Sequence, residues 1–166
     1  MSRSKMEVYD VLFQSAFVAT SNAAENVAPD SRMRQPKGEK AHPLWLVGHL
    51  AFANDSILCG ILFGGKRVAP REFTKLFGPH FIGAEPVTAD PAKYPPWDEV
   101  VAVYKNVSEN SLALLAQQSD VDLQGGAKGK VPVGTESMFE TYIGTLNMML
   151  LHDSYHRGQL GMLSSE

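Results

Sequence analysis

LHDSYHRGQLGML, residues 151–163, places two histidines four residues apart in an apolar segment near the end of the chain. On a helix this spacing brings His152 and His156 onto one face, with their Cβ atoms about 6 Å apart. Met149 and Leu163 share that face, so we expect it to point inward. Two buried imidazoles need partners, because unpaired polar groups are costly to bury. A shared metal ion meets that need, and so do hydrogen bonds to a carbonyl or a tyrosine.

Apolar residues recur at helical spacing in four segments of the chain. The segments run over residues 5–26, from 42–43 to 64–65, from 96–97 to about 118, and from 137 to about 163. Residues 29–40 are polar and predict a loop. In the last segment Ser137 and Glu140 have the spacing of a capping box. No strand signal competes with the helices, and 166 residues suit one domain over 1–166. The sequence therefore predicts an all-α four-helix bundle.

A long crossover separates the second and third predicted helices. Residues 65–96 hold six of the ten prolines, with a short helical piece expected around 71–77. A connection of this length allows the second and third helices to run parallel. The shorter glycine-rich loop before the fourth helix makes that helix antiparallel to both.

His49 lies in the middle of the second, almost wholly apolar helix, where a lone histidine is an awkward core residue. It is roughly 9 Å from the start of that helix, and His152 and His156 are roughly 10–17 Å from the end of the fourth. Antiparallel helices therefore bring the three imidazoles to one end of the bundle. Three neutral imidazoles suit zinc, nickel, copper or iron, with a coordination position left open for water or a thiol.

HPLWLVGHL (42–50), followed about a hundred residues later by HDSYHRGQLGML (152–163), resembles the DinB/YfiT-like superfamily of metalloenzymes. The resemblance covers nearly the whole chain, and HRGQ (156–159) is its most specific part. It implies an up-down-down-up bundle, a homodimer, and a metal triad of His49, His152 and His156.

Members of this superfamily with known activity include thiol-dependent enzymes. The resemblance therefore favours an S-transferase that uses a divalent metal, zinc or nickel before other ions, to activate a low-molecular-weight thiol. Two alternatives stay open. One is a hydrolase that uses hydroxide bound to the metal, and the other is a non-catalytic, stress-related dimeric module that binds metal.

Four residues near the triad are further candidates for the site. Trp45, Tyr155 and His42 are substrate-pocket candidates, although His42 could equally cap the second helix. Gln159, one turn past His156, could orient a bound water or a histidine N–H, or could be a core-edge glutamine. HDSYH also invites comparison with the HExxH motif of zinc peptidases. Asp153 is shorter than the glutamate base of that motif, and no third ligand follows, so we do not favour this interpretation.

Composition limits the partners that we expect. A net charge of −3 gives no broad basic surface for nucleic acid. The sequence contains no uninterrupted run of about 18 apolar residues, so we expect no membrane span. The N-terminus does not resemble a secretory signal. The one cysteine, Cys59, cannot form an internal disulfide, which favours a reducing cytoplasm. We expect a cytoplasmic protein that acts on a small molecule.

Overall fold

The computed structural model describes residues 4–36 and 41–164, and within these ranges it contains helices and no strand. The all-α prediction is confirmed. The described α-helices are α1 (Lys5–Glu25), α2 (Pro43–Ala53), α3 (Glu72–Phe77), α4 (Trp97–Leu115) and α5 (Tyr142–Ser164). A π-helical segment, Asn54–Leu62, continues directly from α2. Four of the helices are long, and α3 is the short piece expected in the crossover. Residues 37–40 of the predicted loop lie outside the described residues.

Local sequence explains where the helices begin. A capping box opens α1, because Ser4 Oγ accepts from Glu7 N–H and the Glu7 carboxylate accepts from Ser4 N–H. The capping box predicted at residues 137 and 140 is wrong. Residues 136–139 form a 3-10 turn instead, and α5 begins five residues later than predicted. Thr141 caps α5, since its Oγ1 accepts from Gly144 N–H at 3.1 Å.

Contacts along α1 give its direction relative to α4 and α5. The backbone N–H of Met6 donates to Asp120, just beyond the end of α4, while Glu25 at the other end of α1 pairs with Lys105. Thus α1 and α4 are antiparallel. Tyr9 donates to Asn147, and further along both helices Thr20 donates to Asp153. Thus α1 and α5 run in the same direction.

The second helix contacts α4 and α5 in the directions that the loop lengths predict. Leu44, at the start of α2, bonds to the backbone of Arg32, whose guanidinium lies 5.1 Å from the ring of Trp97 at the start of α4. Further along, Cys59 Sγ lies 3.2 Å from Ser111 Oγ of α4. These two helices are therefore parallel. The rings of Phe63 and Tyr142 lie 6.2 Å apart, which brings the end of the second helical segment to the start of α5.

The crossover packs closely on α2 at one glycine. A Cβ added at Gly48 would lie 2.4 Å from the ring of Phe77, the last residue of α3. Only a glycine lets the ring of Phe77 approach this closely, and the approach holds the end of α3 against the middle of α2. This contact also fixes the position of the Phe77 carbonyl beside His49.

The segment Pro43–Leu62 is long and apolar enough, by length and composition, to cross a membrane. Within the part of the chain that the structure describes, it is the one helical segment that passes this test. Its most apolar window is 78% buried against the rest of the protein. The segment is therefore packed mainly against other parts of the protein, as a core helix is.

Candidate metal centre

Three histidines that are distant in sequence come together where the middle of α2 meets α5. The candidate ligand nitrogens of His49, His152 and His156 all lie within 4.8 Å of one another. The Nε2 atoms of His49 and His152 are 3.2 Å apart. Two nitrogens on one tetrahedral zinc ion are separated by about 3.3 Å, given Zn–N bonds of about 2.0–2.1 Å. The observed separation therefore fits two ligands of one ion.

Hydrogen bonds fix the tautomers of two of these imidazoles. His49 Nδ1–H donates to the carbonyl oxygen of Phe77 at 2.7 Å, so its Nε2 carries a lone pair directed at the cluster. His156 Nδ1–H donates to Gln159 Oε1 at 2.7 Å, which leaves Nε2 of His156 as its ligand atom. Metal-binding histidines are typically oriented in this way by a carbonyl or amide oxygen on the second ring nitrogen.

His152 differs from the other two, because its Nδ1 is buried and has no hydrogen-bond partner among the described residues. Its Nε2 faces the Nε2 lone pair of His49. If His152 Nε2 also carried a lone pair, the two nitrogens would repel each other. A cation between them turns that repulsion into shared coordination. The donor set and its geometry thus fit a divalent transition metal.

The electrostatics of the cluster favour neutral imidazoles. Burial lowers the pKa of His49 to about 4, although the Phe77 carbonyl partly opposes this shift. Burial also lowers the pKa of His152 to about 3, with further lowering by the charges that His156 and His49 would carry. The pKa of His156 is lowered by burial as well, and Gln159 opposes that shift. At neutral pH all three rings are in the form that binds a metal.

Two aromatic candidates lie against the cluster. Trp45 stacks on His49 with ring centroids 4.6 Å apart and planes 9° from parallel, and its Nε1–H donates to Leu76 O. Tyr155 lies at the surface, with its ring 5.0 Å from that of His156. Its hydroxyl accepts from the Gln159 amide at 3.2 Å. The two aromatic rings flank the cluster, whereas Gln159 is hydrogen-bonded directly to His156, one of the candidate ligands.

Of the two roles considered for His42, the lining of a pocket and the capping of the second helix, the structure shows the cap. It is fully buried, and its Nδ1 accepts from the Trp45 backbone N–H at 3.1 Å. Its Nε2–H donates to the carbonyl oxygen of Thr88, also at 3.1 Å. With both ring nitrogens bonded and no exposed surface, His42 fixes the start of α2 and cannot line an open pocket.

Asp153 follows His152 in sequence but points to a different region. Its two carboxylate oxygens accept from Thr20 Oγ1 at 2.7 Å and from Tyr104 Oη at 3.1 Å. Arg157 Nη1 lies 3.9 Å away. Burial raises the pKa of Asp153, while these neighbours oppose the shift. The carboxylate ties α5 to α1 and α4 and is not directed at the histidines.

Sequence reasoning missed two features of the centre, the Phe77 carbonyl and the close contact at Gly48. A sequence pattern cannot identify this carbonyl, because Phe77 is 28 residues along the chain from His49, the histidine that it orients. The glycine next to His49 was the one available signal, because a glycine inside a buried helix often marks a close approach.

The sequence model of the DinB superfamily matches residues 12–160. The match covers most of the chain and includes all three histidines. No curated protein matches the chain.

Proposed function

Because this chain belongs to the DinB superfamily, we propose that it is a metal-dependent enzyme, a thiol-dependent S-transferase whose divalent ion is held by His49, His152 and His156. The observation that carries this proposal is the convergence of their ligand nitrogens within 4.8 Å. We also propose that the four long helices form one up-down-down-up bundle, which the contacts of α1 and α2 described above support.

The chain's own residues would prepare the site before any ion binds. A divalent ion held by three imidazoles supplies positive charge and an open position, which lower the pKa of a thiol or of water. Phe77 and Gln159 hold His49 and His156 with Nε2 available as the ligand atom. Trp45 covers one face of the His49 ring and excludes water there. Zinc and nickel are the proposed ions, because imidazole suits both.

The titratable groups near the cluster favour thiol transfer over hydrolysis. Hydrolysis relies on a group that moves protons between water and the leaving group. Among the described residues, the acid nearest in sequence to the ligands is Asp153, which is bonded to Thr20 and Tyr104. A thiol ionises near pH 8.5 and water near 15.7, so a thiol needs less assistance.

We further propose a cytoplasmic homodimer that acts on a small molecule. The outer face of α1 carries exposed apolar side chains at helical spacing, namely Val8, Val11, Leu12 and Val18. Exposed apolar stripes of this kind favour contact with another surface. Light scattering coupled to gel filtration measures the mass, and a mass near 36 kDa, twice 18.1 kDa, is the expected result.

The activity is tested with zinc-loaded or nickel-loaded protein, a panel of small thiols and 1-chloro-2,4-dinitrobenzene. In this reaction a C–S bond forms as chloride leaves. We expect metal-dependent thioether formation that is lost in His156→Ala and retained in the surface control Val121→Ala. A parallel arm follows p-nitrophenyl acetate without thiol. Metal-dependent ester cleavage without thiol transfer would indicate a hydrolase, and bound metal with neither activity would indicate a non-catalytic module.

A further inference from the structure

A second feature of the molecule is an apolar cavity of about 330 Å³. It lies between the second helical segment, the turn His80–Ile82 that follows α3, and the residues that precede α5. Its size is at the lower end of the range for small-molecule sites. Most of the lining side chains are apolar, among them Phe52, Ile57, Ile61, Phe81, Ile82 and Met138. A ligand with an apolar body would gain free energy by burying its surface there.

One charged side chain, Arg67, stands among the described residues that line this cavity. Its Nε–H donates to Asp55 Oδ2 at 2.8 Å, and its Nη2 lies 3.5 Å from Thr74 Oγ1. Asp55 is fully buried, and its other oxygen accepts from the Val68 backbone N–H at 2.6 Å. The buried carboxylate of Asp55, which accepts both of these hydrogen bonds, therefore anchors Arg67 in one orientation.

The aliphatic part of Arg67 is held down at a glycine. A Cβ added at Gly60 would lie 3.1 Å from Arg67 Cδ, so the arginine stem rests on the π-helical backbone. A guanidinium has five N–H groups, and the contacts to Asp55 and Thr74 use two of them. The side chain is 41% exposed, so the remaining N–H groups are accessible where Arg67 borders the cavity.

We propose that this cavity binds a small organic monocarboxylate with an apolar body, such as an aryl-substituted or medium-chain acid. The planar guanidinium matches the geometry of a carboxylate, while the apolar walls take the rest of the molecule. Asp55 already offsets the charge of Arg67. A single negative charge is therefore better matched to the site than the double charge of a phosphate monoester.

The cavity adjoins the metal centre through one aromatic ring. Phe52 lines the cavity, and its ring centroid lies 6.4 Å from that of His49. The cavity is therefore a neighbour of the metal centre on which the proposed function rests, and the bound acid takes no step in the thiol transfer. Binding of the carboxylate itself needs no metal, so it can be measured independently of that function.

The test compares 4-phenylbutyrate with its neutral amide, 4-phenylbutanamide, by calorimetric titration of EDTA-treated protein. We expect a dissociation constant below about 1 mM for the carboxylate, at least tenfold lower than that of the amide. Arg67→Gln is expected to bring carboxylate binding down to the level of the amide. Repeating the titration with zinc-loaded protein is expected to give the same constants, so a failure of thiol transfer would leave this result standing.

Arg67→Gln also removes the cation from buried Asp55, so circular dichroism must first show that this variant is folded. Ser56→Phe provides a second variant, because it fills the cavity and leaves the pair of Arg67 and Asp55 in place. It should abolish binding of both ligands, whereas the matched control Val121→Phe, at an exposed position outside the cavity, should not. Equal binding of carboxylate and amide would overturn the proposal, as would binding that survives Ser56→Phe. No saturable binding, together with adsorption to phosphatidylcholine vesicles, would mark the exposed Phe81 and Ile82 as a membrane-facing patch instead.

Discussion

Helix α5 contributes neighbouring residues to two polar clusters: Asp153 to a buried acid cluster, and His152, with His156, to a half-buried histidine cluster. In the acid cluster, both oxygens of Asp153 accept a hydroxyl, one from Thr20 and one from Tyr104. In the histidine cluster, the Nε2 atoms of His49 and His152 face each other at 3.2 Å, and Nδ1 of His152 has no described partner. Both clusters contain titratable groups that are at least half-buried. The difference is that the protein supplies both partners of the Asp153 carboxylate, whereas Nδ1 of His152 is left without a partner among the described residues.

This contrast distinguishes polar groups that stabilise the fold from polar groups that are available to bind a ligand. A satisfied buried network joins its elements and fixes their orientation, and removing a member leaves the others unpaired. Two nitrogen lone pairs that face each other at this distance are costly unless a cation or a proton lies between them. We therefore propose that the acid cluster stabilises the fold and that the histidine cluster binds a ligand.

The largest expected effect is on the acid cluster. Asp153→Ala should lower the free energy of unfolding by about 2–5 kcal/mol, because the hydroxyls of Thr20 and Tyr104 are left buried without an acceptor. Urea denaturation of the metal-free protein measures this loss. In the same variant, zinc affinity should stay within about threefold of the native value, which is less than 1 kcal/mol.

Asp153→Asn is the matched control, since its amide oxygen still accepts from one hydroxyl, and it should lose less stability than Asp153→Ala. Unchanged stability in Asp153→Ala would contradict the structural assignment. A large loss of zinc affinity with little loss of stability would reverse the roles of the two clusters.

His42 sharpens the comparison, because it is a buried histidine with both ring nitrogens bonded. Its folded-state pKa of about 4 lies below the ordinary value of 6.5, so the unfolded chain binds more protons between these limits. Its contribution to stability is therefore complete above pH 6.5 and is lost as the pH falls toward 4. His42→Asn keeps a capping oxygen and removes this titration.

The free energy of unfolding of His42→Asn, measured relative to that of the native protein, should rise by about 1–2 kcal/mol when the pH is lowered from 7.5 to 5. Thermal or urea denaturation at the two pH values, in EDTA, measures the difference. A stability difference that is the same at both pH values would show that His42 is not held neutral by the fold.

The smallest predicted effect concerns the support of His156. Gln159→Leu removes the oxygen that accepts from His156 Nδ1–H and should weaken zinc binding about tenfold. Gln159→Glu restores an acceptor and should retain the native affinity. Competition with a chromophoric chelator measures all three dissociation constants. Native affinity in Gln159→Leu would show that this hydrogen bond does not orient the ligand.

Much of the fold was predictable, because each long helix carries its own apolar periodicity and its own terminal signals. The proximity of His49, His152 and His156 was also predictable from spacing, since His152 and His156 are one turn apart and His49 is isolated in an apolar helix. The start of α5 was mispredicted. Ser137 and Glu140 have the right spacing for a cap, but Thr141 lies closer to the periodic segment and caps it instead.

The features that could not be predicted depend on tertiary contacts. The Phe77 carbonyl reaches His49 because Gly48 admits an aromatic ring from a helix in the crossover. The partners of Asp153 come from two other helices, so the sequence around Asp153 gave no sign that it is satisfied. The cavity beside Arg67 is formed by three segments that are distant in the chain.

The central claim is that His49, His152 and His156 jointly hold one metal ion. Calorimetric titration of zinc or nickel into EDTA-treated protein without a histidine tag tests it directly, with elemental analysis of the product. We predict one ion per chain for the native protein. For the double variant His49→Ala, His156→Ala we predict no stoichiometric binding, with the helical circular dichroism spectrum retained. One ion per chain in the double variant, or none in the folded native protein, would contradict the claim.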